Sequence, residues 1–175
     1  IKSLEINLFI MTEKIATLKK EGNVSIISLD DGKANVFSPE MSKQINECLD
    51  QVATDEGCMI ITGREGMFSG GLDLKIIQSG DLDHIQEMSF SAFKLLARIF
   101  SFPRPVIAAC SGHAVALGTF LLCCCDYRIG VKGEFMLGAN EMRTNMVIPT
   151  PILELIKFRV SNACLLYTSP SPRDT

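Results

Sequence analysis

The sequence predicts a single α/β domain built on a mostly parallel sheet. Three observations carry this. The apolar runs Cys58-Met59-Ile60-Ile61 and Val106-Ile107-Ala108-Ala109-Cys110 are too short for helices and are bounded by glycine or proline, as buried strands are. Between and beyond them, apolar residues recur at helical spacing, which gives strand–helix–strand units with right-handed crossovers. The length of 175 residues supports one hydrophobic core rather than two.

The elements follow in order. Lys14 to Lys20 and Val24 to Asp30 form two strands joined by a Glu21-Gly22-Asn23 turn. Ser38-Pro39-Glu40 starts a helix with a capping hydroxyl, proline in the first turn and an acid at the positive dipole end. Met41, Ile45, Cys48, Leu49 and Val52 continue its apolar face, so it runs to about Thr54. After the Cys58–Ile61 strand comes a glycine-bearing loop, Met67-Phe68-Ser69-Gly70-Gly71, and a short helix from Leu72-Asp73-Leu74-Lys75. Asp81 caps a long helix with Ile85, Met88, Ala92, Leu95, Leu96 and Ile99 on one face, ended by Pro103 and Pro105. Beyond the Val106–Cys110 strand, Ser111-Gly112 turns the chain into an apolar helix ending near Cys125. Tyr127 to Val131 and Glu134 to Leu137 are short strands, and Thr150 to Lys157 starts a final helix. Ligands of such folds sit where loops leave the strand ends, so the loops at Gly70-Gly71 and Ser111 to Gly118 should lie together.

Several functions are excluded by composition and spacing. A net charge of −3 and the absence of tryptophan leave no basic or stacking surface for nucleic acid. The longest apolar run, Ala114 to Cys125, is too short to cross a membrane, and Ile1 to Ile10 lacks the pattern of a signal peptide. None of the seven cysteines forms a C-x-x-C pair, neither histidine has zinc spacing, and Cys123-Cys124-Cys125 point in different directions on a helix; no metal site is expected. Buried free thiols fit a reducing compartment. Ser111 and His113 lack a G-x-S-x-G setting, and nucleotide-phosphate loops are missing. The domain is assigned to residues 11–162. Residues 1–10 and 163–175 are expected to be non-native or disordered: Leu165 to Asp174 is aperiodic, punctuated by Pro170 and Pro172, and resembles a translated sequencing adaptor, while Met11 reads as a start.

Three stretches resemble the crotonase (enoyl-CoA hydratase/isomerase) superfamily, in its order, over residues 14–158. Gly32-Lys33-Ala34-Asn35-Val36-Phe37 is similar to the segment that curls around coenzyme A, although alone it reads equally as a polar turn before a capped helix. Ile60 to Leu74 resembles the family's strand followed by F-x-x-G-x-D-[IL]; alone, an ordinary glycine turn would do the same. Pro105 to Gly118, running on to Cys125-Asp126-Tyr127-Arg128-Ile129, resembles P-x-[IV]-A-A-x-x-G, apolar helix, C-D-x-R-I. A generic strand–turn–helix would not place Asp126 and Arg128 at that offset.

The resemblance implies a crotonase-like ββα spiral core with mostly parallel strands and flanking helices, without the family's C-terminal trimerisation helices. It implies that the N–H groups of Leu72 and Leu117, with Gly118 beside the latter, would hold a thioester oxygen, and that Lys33, Ala34, Gly71, Asp73 and Lys75 would bind the coenzyme A moiety. That moiety belongs to the substrate, an acyl-CoA thioester, so no separate cofactor is expected. The full-length protein would be a homotrimer or hexamer, cytoplasmic, or mitochondrial or peroxisomal in a eukaryote. The family's first glutamate position holds Phe120 here. Its second falls on Glu141, in Leu137-Gly138-Ala139-Asn140-Glu141, which is similar to the G-L-N-E form of enoyl-CoA isomerases; Glu134 is a competitor expected to face solvent. Asn145 and Pro149-Thr150-Pro151 also depart from the family's glycine-rich pattern. A single glutamate suits migration of a double bond from C3–C4 to C2–C3. The alternatives are an enoyl-CoA hydratase of β-oxidation and a non-catalytic acyl-CoA-binding subunit.

Overall fold

The computed structural model describes residues 13–141 and 146–161. The assigned boundaries at residues 11 and 162, the segments beyond them, Asn145 and Cys164 lie outside this range. Strands β1 (Ala16–Glu21) and β2 (Val24–Leu29) form an antiparallel hairpin that pairs Glu21 with Val24. Gly22 takes the left-handed conformation this tight turn needs, at φ 57°. β4 (Cys58–Gly63), β7 (Val106–Cys110) and β9 (Tyr127–Gly130) then add in parallel, giving the order β1-β2-β4-β7-β9. Ile27 and Leu29, Met59 and Ile61, and Val106 and Ala108 alternate onto one buried face.

Helices α1 (Pro39–Leu49), α3 (Leu82–Phe100), α4 (Leu117–Cys124) and α5 (Thr150–Arg159) pack as successive neighbours, and α1 also covers β1. Ser38 Oγ accepts from Met41 N, and Asp81 Oδ1 from His84 N, so both expected caps form. Helix α1 stops at Leu49, five residues before the expected Thr54. Gln51 N and Val52 N donate to carbonyls three residues back, at Cys48 and Leu49, which tightens the end while still burying Val52.

The larger correction is around the glycines. Two short parallel sheets occupy segments expected to be loop and helix. One has the order β10-β8-β5, from Leu137–Gly138, Gly112–Val115 and Gly66–Ser69; the other pairs β3 (Val36–Phe37) with β6 (Gly71–Leu72). Gly112 pairs with Gly66 so closely that a Cβ would collide with the Gly66 backbone. The apolar helix therefore begins only at Leu117, and the expected Glu134–Leu137 strand is confined to β10.

Asp126 and Arg128 are structural. Asp126 Oδ2 accepts from Val106 N at 2.9 Å, and Arg128 Nη1 donates to the carbonyls of Leu122 and Cys125, closing the end of α4. Cys48, Cys110 and Cys123 to Cys125 are buried free thiols, as expected, and burial pushes the Cys124 thiol up to about 12.

Asn35 is wholly buried and left-handed, at φ 49°. Its Nδ2 donates to the carbonyls of Leu29, Met67 and Phe68, and its Oδ1 accepts from Asp31 N. It thus ties β2, β3 and β5 together. Replacing Asn35 with alanine should lower the unfolding free energy by about 1–3 kcal/mol, because buried carbonyls lose their donor. Urea denaturation of the two chains measures this; an unchanged midpoint would contradict the role.

Candidate active site

The loops at Gly70-Gly71 and Ser111 to Gly118 do meet. Asp31 begins the arrangement: its carboxylate accepts from the N–H groups of Lys33, Asn35 and Val36, shaping the turn before β3. Those bonds and the Arg64 charge hold the Asp31 carboxyl below the usual range against its partial burial. Gly70 N donates to Ala34 O at 2.7 Å, and Ser69 Oγ donates to Asn35 O while accepting from Gly71 N. Asp73 N donates to Phe37 O at 3.3 Å across the β3–β6 pair. Residues of a strand alternate their N–H directions, so the Leu72 N–H points away from β3.

On that other side lies the start of α4. Gly71 has φ 92°, and a Cβ there would stand 2.9 Å from Ala116 Cβ and 3.3 Å from Leu117 N. Gly118 is equally constrained, since its Cβ would come 2.5 Å from Ser69 O. Only glycine lets these backbones approach. Ala116 holds φ 50° and ψ −123°, an unusual conformation for a residue with a Cβ. Its N–H is fixed by Gly138 O at 3.0 Å, and its carbonyl accepts from Thr119 N and Phe120 N. Leu117 and Gly118 thus occupy the first turn of α4, where helical N–H groups have no carbonyl one turn back.

A cavity of about 300 Å³ opens beside this junction, bordered by Leu72, Leu117, Phe120 and Glu141. Glu141 is 6% exposed, and desolvation raises its pKa above the ordinary 4.5, partly offset by its own backbone N–H. Phe120 is 2% exposed. Glu141 is the only ionisable side chain on the cavity wall among the described residues. Phe93 and Pro149 continue from this wall into a second, apolar cavity of about 500 Å³ between α3 and α5.

The structure therefore brings together Leu72, Leu117, Gly118, Gly71 and Glu141. It does not bring Lys33, Ala34, Asp73 or Lys75 into the cavity wall. Lys33 and Lys75 are exposed, Ala34 braces Gly70, and Asp73 caps α2 (Leu74–Ser79) by accepting from Lys75 N. Glu134 is exposed. Ser111 and His113 do not pair: the Ser111 hydroxyl donates to Met67 O, and His113 Nδ1 accepts from Met136 N. No group of His, Cys, Asp and Glu able to hold a metal occurs among the described residues, and none of their helices is long and apolar enough to cross a membrane. Sequence reasoning missed Ser69, Ala116 and Thr119, whose roles come from tertiary contacts; only the Ser69-Gly70-Gly71 context hinted at one of them.

A family model described as enoyl-CoA hydratase/isomerase matches residues 19–155. A Bacillus subtilis protein named probable enoyl-CoA hydratase is 33% identical over 129 residues, covering 71% of this chain and 49% of its own length. Enoyl-CoA delta isomerase 3 of Arabidopsis thaliana is 28% identical, covering 85% of this chain and 65% of its own. Among solved structures, an apo enoyl-CoA isomerase of Mycobacterium tuberculosis superimposes with a TM-score of 0.82 at 35% identity, over 89% of this chain and 68% of that one. The chain thus spans about half to two thirds of the length of these relatives.

The raised pKa of Glu141 couples folding to pH. The folded state binds this proton more tightly than the unfolded state does. The Glu141 contribution to stability is therefore greatest below the unfolded value, falls as pH rises through about 4.5, and levels off above the folded pKa. Urea denaturation from about pH 4 to about pH 8 should show native protein losing stability relative to Glu141→Gln. Parallel curves for the two chains would contradict the burial of this carboxyl.

Proposed function

The chain belongs to the enoyl-CoA hydratase/isomerase family, and from that premise we propose that the whole protein moves the double bond of a 3-enoyl-CoA to the 2-position, with Glu141 as its base. The observation that carries this reading is the pairing of one buried carboxyl, Glu141, with apolar Phe120 on the same cavity wall. Adding water across a double bond calls for one group to activate water and another to manage the α-proton. Migration needs one carboxylate that removes a proton at C2 and returns it at C4. The names of the relatives divide between hydratase and isomerase, so the side chains favour the choice where the names do not.

In the proposed reaction Glu141 breaks the C2–H bond, and the electron pair delocalises onto the thioester oxygen. The N–H groups of Leu72 and Leu117 receive that charge. As the enolate collapses, C4 takes the proton back from Glu141 and the C2–C3 double bond forms. Two preorganised donors stabilise charge without having to reorient, and losing one typically costs on the order of 10²–10³ in rate. A Leu side chain at each position is tolerable because the donor is the backbone. The raised pKa of Glu141 brings it closer to that of a useful proton carrier at neutral pH. Coenzyme A enters as part of the substrate, and the acyl tail lies along Phe93 and Pro149. In this reading Lys33 and Lys75 assist by charge near the coenzyme, and the whole protein is a trimer or a pair of trimers. Location in the cytoplasm, or in a mitochondrion or peroxisome, is part of the same proposal.

The test is Glu141→Gln in the full-length protein. Isomerisation of 3-hexenoyl-CoA should fall by roughly 10²–10⁴, the usual worth of a positioned acid–base group, while acyl-CoA binding persists. Activity within a few-fold of native would overturn the assignment of the base.

A further inference from the structure

The segment that carries Glu141 follows a short strand, with Ala139 buried in the core and Glu141 O accepting from Met146 N. Strand β10 is only two residues long, pairing Leu137 with Ala114 and Gly138 with Val115. Ala114 N and Ala116 N donate to the carbonyls of Met136 and Gly138, each at 3.0 Å. Two side chains add hydrogen bonds to this pairing among the described residues. Thr119 Oγ1 accepts from Gly138 N at 3.1 Å and donates to Ala114 O at 2.7 Å. His113 Nδ1 accepts from Met136 N at 2.9 Å, with its ring edge-on to Phe135 at 5.3 Å between centroids.

We propose that His113 and Thr119 are positioning residues: their side chains clamp the β10 arm to β8 and the start of α4, and so set the distance between the Glu141 carboxylate and the Leu72 and Leu117 N–H groups. This rests on the proposed role of Glu141. The two clamps are chemically specific. His113 supplies the acceptor for Met136 N, which lies before the strand, and Thr119 adds a hydroxyl acceptor to Gly138 N, which the β10–β8 register also turns toward the Ala114 carbonyl. Thr119 lies in the first turn of α4, two residues after Leu117, so one hydroxyl couples the placement of the base to the helix start. An arm this short has no other regular pairing in the described residues to hold its register. Displacing a catalytic group by about 1 Å can cost on the order of 10²-fold in rate.

The experiment uses the full-length protein and 3-hexenoyl-CoA. Thr119→Val keeps the shape and removes the acceptor; Thr119→Ser keeps it. His113→Leu removes the second acceptor, and His113→Asn returns an acceptor oxygen near the Nδ1 position. The expected result is a kcat lower by roughly 10–100-fold in the valine and leucine variants, with KM within about two-fold of native, and recovery in the serine and asparagine variants. Amide exchange at Met136 and Gly138 should quicken in the same two variants while the β4 and β7 amides stay protected. A fall in KM-linked binding alone, no recovery by serine and asparagine, or unchanged exchange would overturn the clamp. Introducing Thr119→Val into Glu141→Gln separates this from the function reading. If Glu141→Gln is fully active, the base assignment fails, and the exchange result still decides the clamp. If Glu141→Gln is impaired, the added valine should cost nothing further, and a second full loss would contradict action through Glu141.

Discussion

The structure depends on three close backbone contacts that only glycine permits. Gly112 lies against Gly66, Gly118 against Ser69, and Gly71 against Ala116 and Leu117. These contacts pull β8 into a sheet with β5 and set the start of α4 beside the β6 turn. The strain taken up at Ala116, and the delayed start of the apolar helix, follow from the same approach. Without it there would be two unrelated loops at the strand ends. With it there is a junction where Leu72 and Leu117 border one cavity.

The second determinant is the wall of that cavity. Phe120 and Glu141 come from different elements, one from α4 and one from just beyond β10, yet both are nearly excluded from water. Burying a carboxyl among apolar groups is costly in its charged form, which is why its proton affinity rises. A second carboxylate in place of Phe120 would change both the charge and the chemistry available. On the proposed reading, the substitution that makes the pocket drier is the one that narrows the reaction.

Much of this was legible in the sequence, for identifiable reasons. The strands Cys58–Gly63 and Val106–Cys110 and the caps Ser38 and Asp81 announce themselves through local chemistry that tertiary structure did not override. The meeting of the two glycine loops followed from parallel topology. What was not legible depends on contacts distant in sequence. Gly112 to Val115 has the apolar character of a helix start, and it becomes a strand by pairing with β5, where Gly66 lies 46 positions back in the chain, and with β10 on its other side. The two-residue strands β3, β6 and β10 are below the length at which alternation carries a signal. Asn35 looked like one polar residue in a turn, and its carbonyl partners come from two other strands.

On the proposed reading, a single carboxylate beside apolar Phe120 favours proton transfer along a carbon chain over water addition. The most direct measurement compares, in the full-length protein, the kcat/KM for isomerising 3-hexenoyl-CoA with that for hydrating crotonyl-CoA. Isomerisation should exceed hydration by at least about 100-fold, the lower range for one acid–base group. Hydration equal to or faster than isomerisation would contradict it.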